Sequence, residues 1–307
     1  MNPQPDFWPE LPLAAWRDTY DTLHMWTQIV GKIRMTLTPL INHYWNATLY
    51  VSARGLTTSA IPYPRGVFEI EFDFIGHKLA IMTSAGETRA LELGPRTVAD
   101  FYAEVMSTLA ALKIDVQIHA HPDEFPNPIP FAEDRTHKSY DRESVDRFRR
   151  LLISVDKVLQ NFRTRFIGKC SPVQFFWGSF DLAVTRFSGR LAPPRPDPMM
   201  QEAYSHEVSS AGFWPGGGDI KGPAFYSYTT PEPEGFKTQA VGPKSAFYHQ
   251  GIGEFLLLYD DIRGSAAPDS ELMEFLQSTY EAGANLAGWD RAALERPSEN
   301  LAAGGGK

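Results

Sequence analysis

Cysteine is almost absent: Cys170 is the only one in 307 residues. That excludes an internal disulfide framework and any zinc knuckle built on thiolates. Positive charge is also in deficit. Lys and Arg number 29 against 37 Asp and Glu, giving a formal charge of −8, so a nucleic-acid partner is not expected. The one basic cluster, Arg142, Arg147, Arg149 and Arg150, is interrupted by Glu143 and Asp146 and has the pattern of a solvated helix face. No apolar run approaches the roughly 20 residues that span a bilayer. Met1–Asp6 has no cationic start leading into an apolar stretch, so no signal peptide is visible. The expectation is a cytoplasmic protein without a membrane partner. Familiar catalytic strings are missing too: Gly-x-Ser-x-Gly, His-Glu-x-x-His and the dinucleotide fingerprint do not occur, so no nucleotide cofactor is expected.

What is present is an ordinary globular composition, 43% hydrophobic and 21% charged, with aromatics at 13%. It favours one large or two smaller cores. Apolar residues at Trp16, Tyr20, Leu23, Val30 and Ile33 predict a helix over about 12–37, ended by Pro39. A strand is expected over 43–51. The clearest strand alternates Phe68, Ile70, Phe72 and Phe74 with Glu69, Glu71 and Asp73. Strands over 78–82 and 88–93 follow, then a helix over 97–112, with Thr97 and Asp100 spaced as a capping box. In the second half a helix over 142–166 carries Val145, Phe148, Leu152, Val155, Leu159 and Phe162 at helical spacing. A strand over 175–184, extended segments near 206–209, 224–229 and 254–260, and a helix over 270–286 complete the outline.

Each half runs helix, aromatic strand, Pro-rich loop, further strands, helix. Tyr44-Trp45 and Phe176-Trp177 lie 132 positions apart, as do Arg54 and Arg186. The fold class is therefore α+β: two related helix-plus-antiparallel-sheet halves, a pseudo-duplication packed into one compact unit. Residues 1–118 make the first half and 119–141 a Pro/His-rich connector. Residues 142–295 make the second half, with a long Gly/Pro/aromatic insertion, and 296–307 a disordered tail. Five of the eight histidines, His119, His121, His137, His206 and His249, fall in the connector and the insertion.

The sharpest local pattern is His119-Ala120-His121-Pro122-Asp123-Glu124. His119 and His121 share a side of an extended chain, and a turn at Pro122 would bring Glu124 round, a ligand set for a divalent iron, zinc, manganese or copper ion. The bland alternative is one capping His and one solvated His. His206-Glu207 and His249 with Glu254 offer acid–base groups, His being poised near neutral pH. His43, Trp45, Trp177, Asp181, Trp214 and Tyr248 are the candidate ligand contacts. Asp181 lies mid-strand among apolar neighbours, where a carboxylate calls for a partner such as Arg54 or Arg186.

The strings His43-Tyr44-Trp45-Asn46, Ile118-His119-Ala120-His121-Pro122, Phe176-Trp177-Gly178-Ser179-Phe180-Asp181 and Phe247-Tyr248-His249 together resemble a bacterial family of unknown function, from about Trp8 to Leu294. The resemblance implies one evolutionary unit and brings no activity or site residues with it. The leading expectation is a small-molecule enzyme, an oxidoreductase or hydrolase if metal-dependent, with its pocket between the halves walled by Trp45, Trp177, Trp214 and Tyr248. The alternatives are a non-catalytic small-molecule-binding or regulatory module and a protein–protein interaction scaffold.

Overall fold

The computed structural model describes residues 6–297. All but the first two residues of the expected tail lie outside that range. Seven α-helices and two antiparallel sheets make up the described chain, the α+β class expected. Two compact units share it. The first takes the residues up to Ile153 together with Phe175–Asp181, and the second takes Ser154–Gln174 and the residues from Leu182 on. The 119–141 segment is thus part of the first unit.

The first unit opens on α1 (Leu13–Leu37). Six short strands follow: β1 (Tyr50–Val51), β2 (Gly55–Thr57), β3 (Ile61–Tyr63), β4 (Gly66–Asp73), β5 (Lys78–Thr83) and β6 (Thr88–Glu92). They pair antiparallel in the order β1-β2-β4-β5-β6, with β3 also on β4. Alternation fixes the faces: Phe68, Ile70 and Phe72 are buried, while Glu71 accepts from Ser52 and Asp73 from Arg54 on the other face. α2 (Val98–Ala111) begins as its sequence predicts, the Thr97 side chain accepting from the Asp100 backbone N–H. It packs on α1 through Trp26 and Phe101, whose rings stack 4.6 Å apart.

Two expected strands take another form. Over 43–51 only Tyr50–Val51 is strand, and Asn42–Tyr44 is a 3-10 turn with His43 and Tyr44 at φ 60 and 57. The Asn46 side chain is the cause. It accepts from the Ile41 N–H and donates to the Thr38 hydroxyl, tying the loop back to the end of α1. Over 175–184 the chain forms β7 (Gln174–Phe176), turns through 177–180, and resumes as β8 (Asp181–Leu191). Phe180 makes the break, at φ 58, by sending its ring between Tyr20, Phe148 and Phe175. The matched strings 132 positions apart therefore differ in local structure, and the duplication gains no support from them.

α3 (Arg142–Thr164) runs from the first unit into the second. Its arginines are ion-paired as a solvated face would be: Arg142 with Glu92, Arg147 with Glu143, and Arg149 and Arg150 with Asp146. In the second unit come α4 (Pro198–Ala203), β9 (His206–Trp214), β10 (Ala224–Thr230), β11 (Phe247–His249), β12 (Glu254–Leu258), α5 (Tyr259–Ile262), α6 (Pro268–Leu286) and α7 (Arg291–Leu294). The sheet order is β11-β12-β10-β9-β8, every pair antiparallel. α6 lies on β10 and β9, and a Cβ on Gly283 would collide with Thr229 there.

Candidate functional site

α1 is buried on nearly every side from Leu23 to Arg34, yet its buried residues include His24, Thr27, Gln28, Lys32 and Arg34. Polar groups in such a place must find partners. His24, Gln28 and Lys32, spaced four apart, form one line along the helix. All three turn to segments that the sequence analysis singled out.

His24 Nε2 lies 2.8 Å from the Gly178 carbonyl. A carbonyl only accepts, so Nε2 carries the proton and donates. Burial holds the imidazole neutral, its pKa pushed down to about 4. Gln28 clasps the backbone of Asp123 in both directions: its Oε1 accepts from the Asp123 N–H (2.8 Å) and its Nε2 donates to the Asp123 carbonyl (2.7 Å). Lys32, almost wholly buried, donates to the half-exposed Asp123 carboxylate. Its ammonium also stands 5.4 Å from the Trp177 ring centroid, a cation–π distance.

The 119–125 segment thus docks on α1 through Asp123, and its neighbour Glu124 projects towards the 177–181 turn. Glu124 sits at φ 52, an unfavourable backbone state for a residue other than glycine. Its Oε1 is 3.0 Å from where a Cβ on Gly178 would be. The residue as a whole is exposed, but desolvation at its carboxyl, then the carboxylates of Asp181 and Asp123, push its pKa above the ordinary value. Among the described residues the Glu124 side chain has no hydrogen-bond or ion-pair partner. Asp181 is buried and accepts from the Ser179 hydroxyl at 2.6 Å. Among the described residues, two of the eight non-glycine residues with positive φ, Glu124 and Phe180, belong to the segments gathered here. Backbone held in such states clusters at functional sites.

The expected residues meet different fates. Trp177 is tied into the first unit: its indole N–H donates to the Ala47 carbonyl at 2.8 Å, and its ring rests on Gly31. His43 is buried with its ring 5.3 Å from that of Trp45. The rings of His119 and His121 are 6.0 Å apart, but Glu124 is turned to Gly178. Among the described residues no three His, Cys, Asp or Glu side chains are grouped to hold a metal. Arg54, offered as a partner for Asp181, pairs with Asp73.

His206, Glu207, His249, Glu254, Trp214 and Tyr248 all belong to the second unit. Adjacent on β9, His206 and Glu207 diverge: His206 Nδ1 is 3.1 Å from the Ser205 hydroxyl, while Glu207 is gripped by Arg190 at 2.6 and 2.9 Å. His249 and Glu254 are brought opposite each other in the β11–β12 pair. His249 Nδ1 there accepts from the Ile252 N–H at 3.2 Å, closing the turn. The Tyr248 hydroxyl donates to Glu232, and Trp214 packs beside Ile220, Ala224 and Leu256.

An open groove of about 870 Å³ lies elsewhere on the first unit, lined by the start of α1, residues 95–97, Asp100 and residues 138–141. Its charged lining is balanced, with Arg17, Arg96 and Lys138 against Asp18, Asp100 and Asp141, so it favours neither sign of ligand. None of His24, Lys32, Asp123, Glu124 or Asp181 reaches it.

His24, Gln28 and Lys32 escaped the sequence analysis, which gave α1 a single apolar face. Their signal was there: three polar residues four apart in the middle of a helix whose other positions are mostly apolar.

The chain belongs to the Family of unknown function (DUF5996), whose model matches residues 8–296. No curated protein and no solved structure matches it.

Proposed function

We propose that this member of a family without an assigned activity is an acid–base enzyme acting on a small polar molecule. Glu124 is the proton-transfer group and Asp181 the carboxylate beside it, while Lys32 and Asp123 hold the 119–125 segment in place. One observation carries the reading. The Glu124 carboxyl lies against Gly178 in a strained backbone state, unpartnered among the described residues, with its pKa raised by desolvation at the carboxyl and by two neighbouring carboxylates. Carboxyls arranged in this way keep a proton closer to neutral pH, as a general acid requires. A cytoplasmic location and the absence of a nucleic-acid partner go with the reading, supported by the single cysteine and the acidic balance, and a bacterial source goes with it on the family resemblance alone.

The test is a turnover screen of the purified chain against small hydroxy, amino and carbonyl compounds, run beside Glu124→Gln. Turnover in the wild type, lost by 100-fold or more in a variant that melts at the same temperature, is the expected result. Full turnover in Glu124→Gln defeats the assignment. A compound that raises the melting temperature of both proteins and is turned over by neither favours a non-catalytic binding module.

A further inference from the structure

The interior of the second unit contains a cation that, among the described residues, forms no ion pair. Arg186 of β8 is fully buried. Its guanidinium lies 3.4 Å from the Phe162 ring centroid, 4.3 Å from that of Tyr280 and 5.2 Å from that of Phe166. Nη2 donates to the Phe162 carbonyl, whereas Nε and Nη1 have no hydrogen-bond partner. Burial lowers the guanidinium pKa to about 10, which leaves it charged at neutral pH.

The groups around it offset its charge only from a distance: Glu295 favours the charged form but makes its contacts elsewhere. Glu295 accepts from the Tyr280 hydroxyl at 2.9 Å and is held by Arg291. Cys170 stands opposite Arg186 in an isolated antiparallel bridge, but burial raises its thiol pKa and keeps it neutral. The surrounding layer is rich in donors instead. Trp289, buried with its ring 6.0 Å from Tyr280, has an unpartnered Nε1. Thr229 is in register with Ser209, which is in register with Arg186, so the three share the sheet face under α6. The Thr229 hydroxyl is also unpartnered.

Arginine and indole nitrogens only donate, so what completes them is an acceptor. Water would meet the hydrogen bonds and leave the charge; a desolvated guanidinium needs both met. The aromatic rings answer part of the charge through their faces and none of the N–H groups. Full burial of the side chain restricts the ligand to something small. We propose that the second unit encloses a monovalent anion of halide size bound to Nε and Nη1 of Arg186, with the Trp289 indole as a neighbouring donor.

The test uses the full chain. Thermal unfolding is followed at constant ionic strength while sodium gluconate is replaced by sodium chloride or bromide. The expected result is a melting temperature that climbs by about 3 °C for each tenfold of halide above its dissociation constant. Arg186→Gln should lose the response. Should that variant fail to fold, Trp289→Phe keeps the cation and removes one donor, and several-fold more halide should then be needed for the same rise. Crystals grown in bromide should show an anomalous peak against Arg186. A melting temperature indifferent to halide, an Arg186 with no anomalous peak beside it, or a halide response unchanged in the variants would each overturn the proposal.

Discussion

The indole of Trp177 rests on the bare backbone of Gly31, where a Cβ would collide with its five-membered ring. Glycine in mid-helix ordinarily costs about 0.5–1 kcal/mol relative to alanine. Here the usual sign reverses. Gly31→Ala should destabilise the protein by about 1–3 kcal/mol through overpacking, measured by urea unfolding. A variant as stable as the wild type would mean that the indole moves aside freely.

His24 gives stability a pH dependence. Its folded pKa of about 4 lies below the unfolded value of about 6.5. The unfolded chain therefore binds more protons between the two. The contribution is fully present above pH ~6.5 and is lost as pH falls towards 4, by up to about 3 kcal/mol. Asp21 and Glu124, whose carboxyl pKa values are raised, act in the opposite direction. The diagnostic is thus the difference between wild type and His24→Gln, which can still donate to Gly178. Unfolding curves from pH 7 to 4 should diverge, and parallel curves would contradict the assignment.

Lys32 and Asp123 should respond unequally to loss of their partner. Asp123→Asn leaves a buried ammonium without its counter-charge and should cost about 3 kcal/mol. Lys32→Met removes the charge and retains a long apolar stem, at a cost of about 1 kcal/mol or less. Chemical denaturation of both variants decides the order, and a larger loss for Lys32→Met would show that the ion pair itself is the main stabiliser.

Gly178 keeps room for Glu124. A methyl added there meets Oε1 at 3.0 Å, so Gly178→Ala should turn the carboxyl outward and bring its raised pKa back towards the ordinary value. Carboxyl carbon chemical shifts followed against pH measure this directly. An unchanged titration would place the cause of the shift elsewhere.

Elements with strong period were legible in advance: α1, β4 and its hairpin with β5, α2 with its Thr97 cap, and α3 all lie where pattern and capping put them. The stretches over 43–51 and 175–184 were misread, because aromatic and β-branched composition favours strand whenever no tertiary contact intervenes. Asn46 bonding to Thr38, and Phe180 entering a cluster of distant rings, are contacts that local composition does not contain. Of the candidate site, Asp123 and Glu124 were visible as part of a polar string and Asp181 as an ill-placed carboxylate. His24, Gln28 and Lys32 were hidden inside a helix whose apolar residues accounted for it. Arg54 was misassigned because a charge looks for the nearest opposite charge in space, and Asp73, 19 residues away, sits beside it.

The seven residues Phe175–Asp181 belong to the first unit although both flanking stretches belong to the second. During synthesis the amino-terminal unit therefore cannot finish when its own 153 residues have emerged. His24 waits 25 residues more for the Gly178 carbonyl, Gly31 waits 24 for its indole, and the unit is complete only at Asp181. A fragment stopped at Ile153 would expose the polar line of α1, and one begun at Ser154 would carry a foreign heptapeptide. Neither unit can be inherited, lost or transplanted by a single cut in its gene.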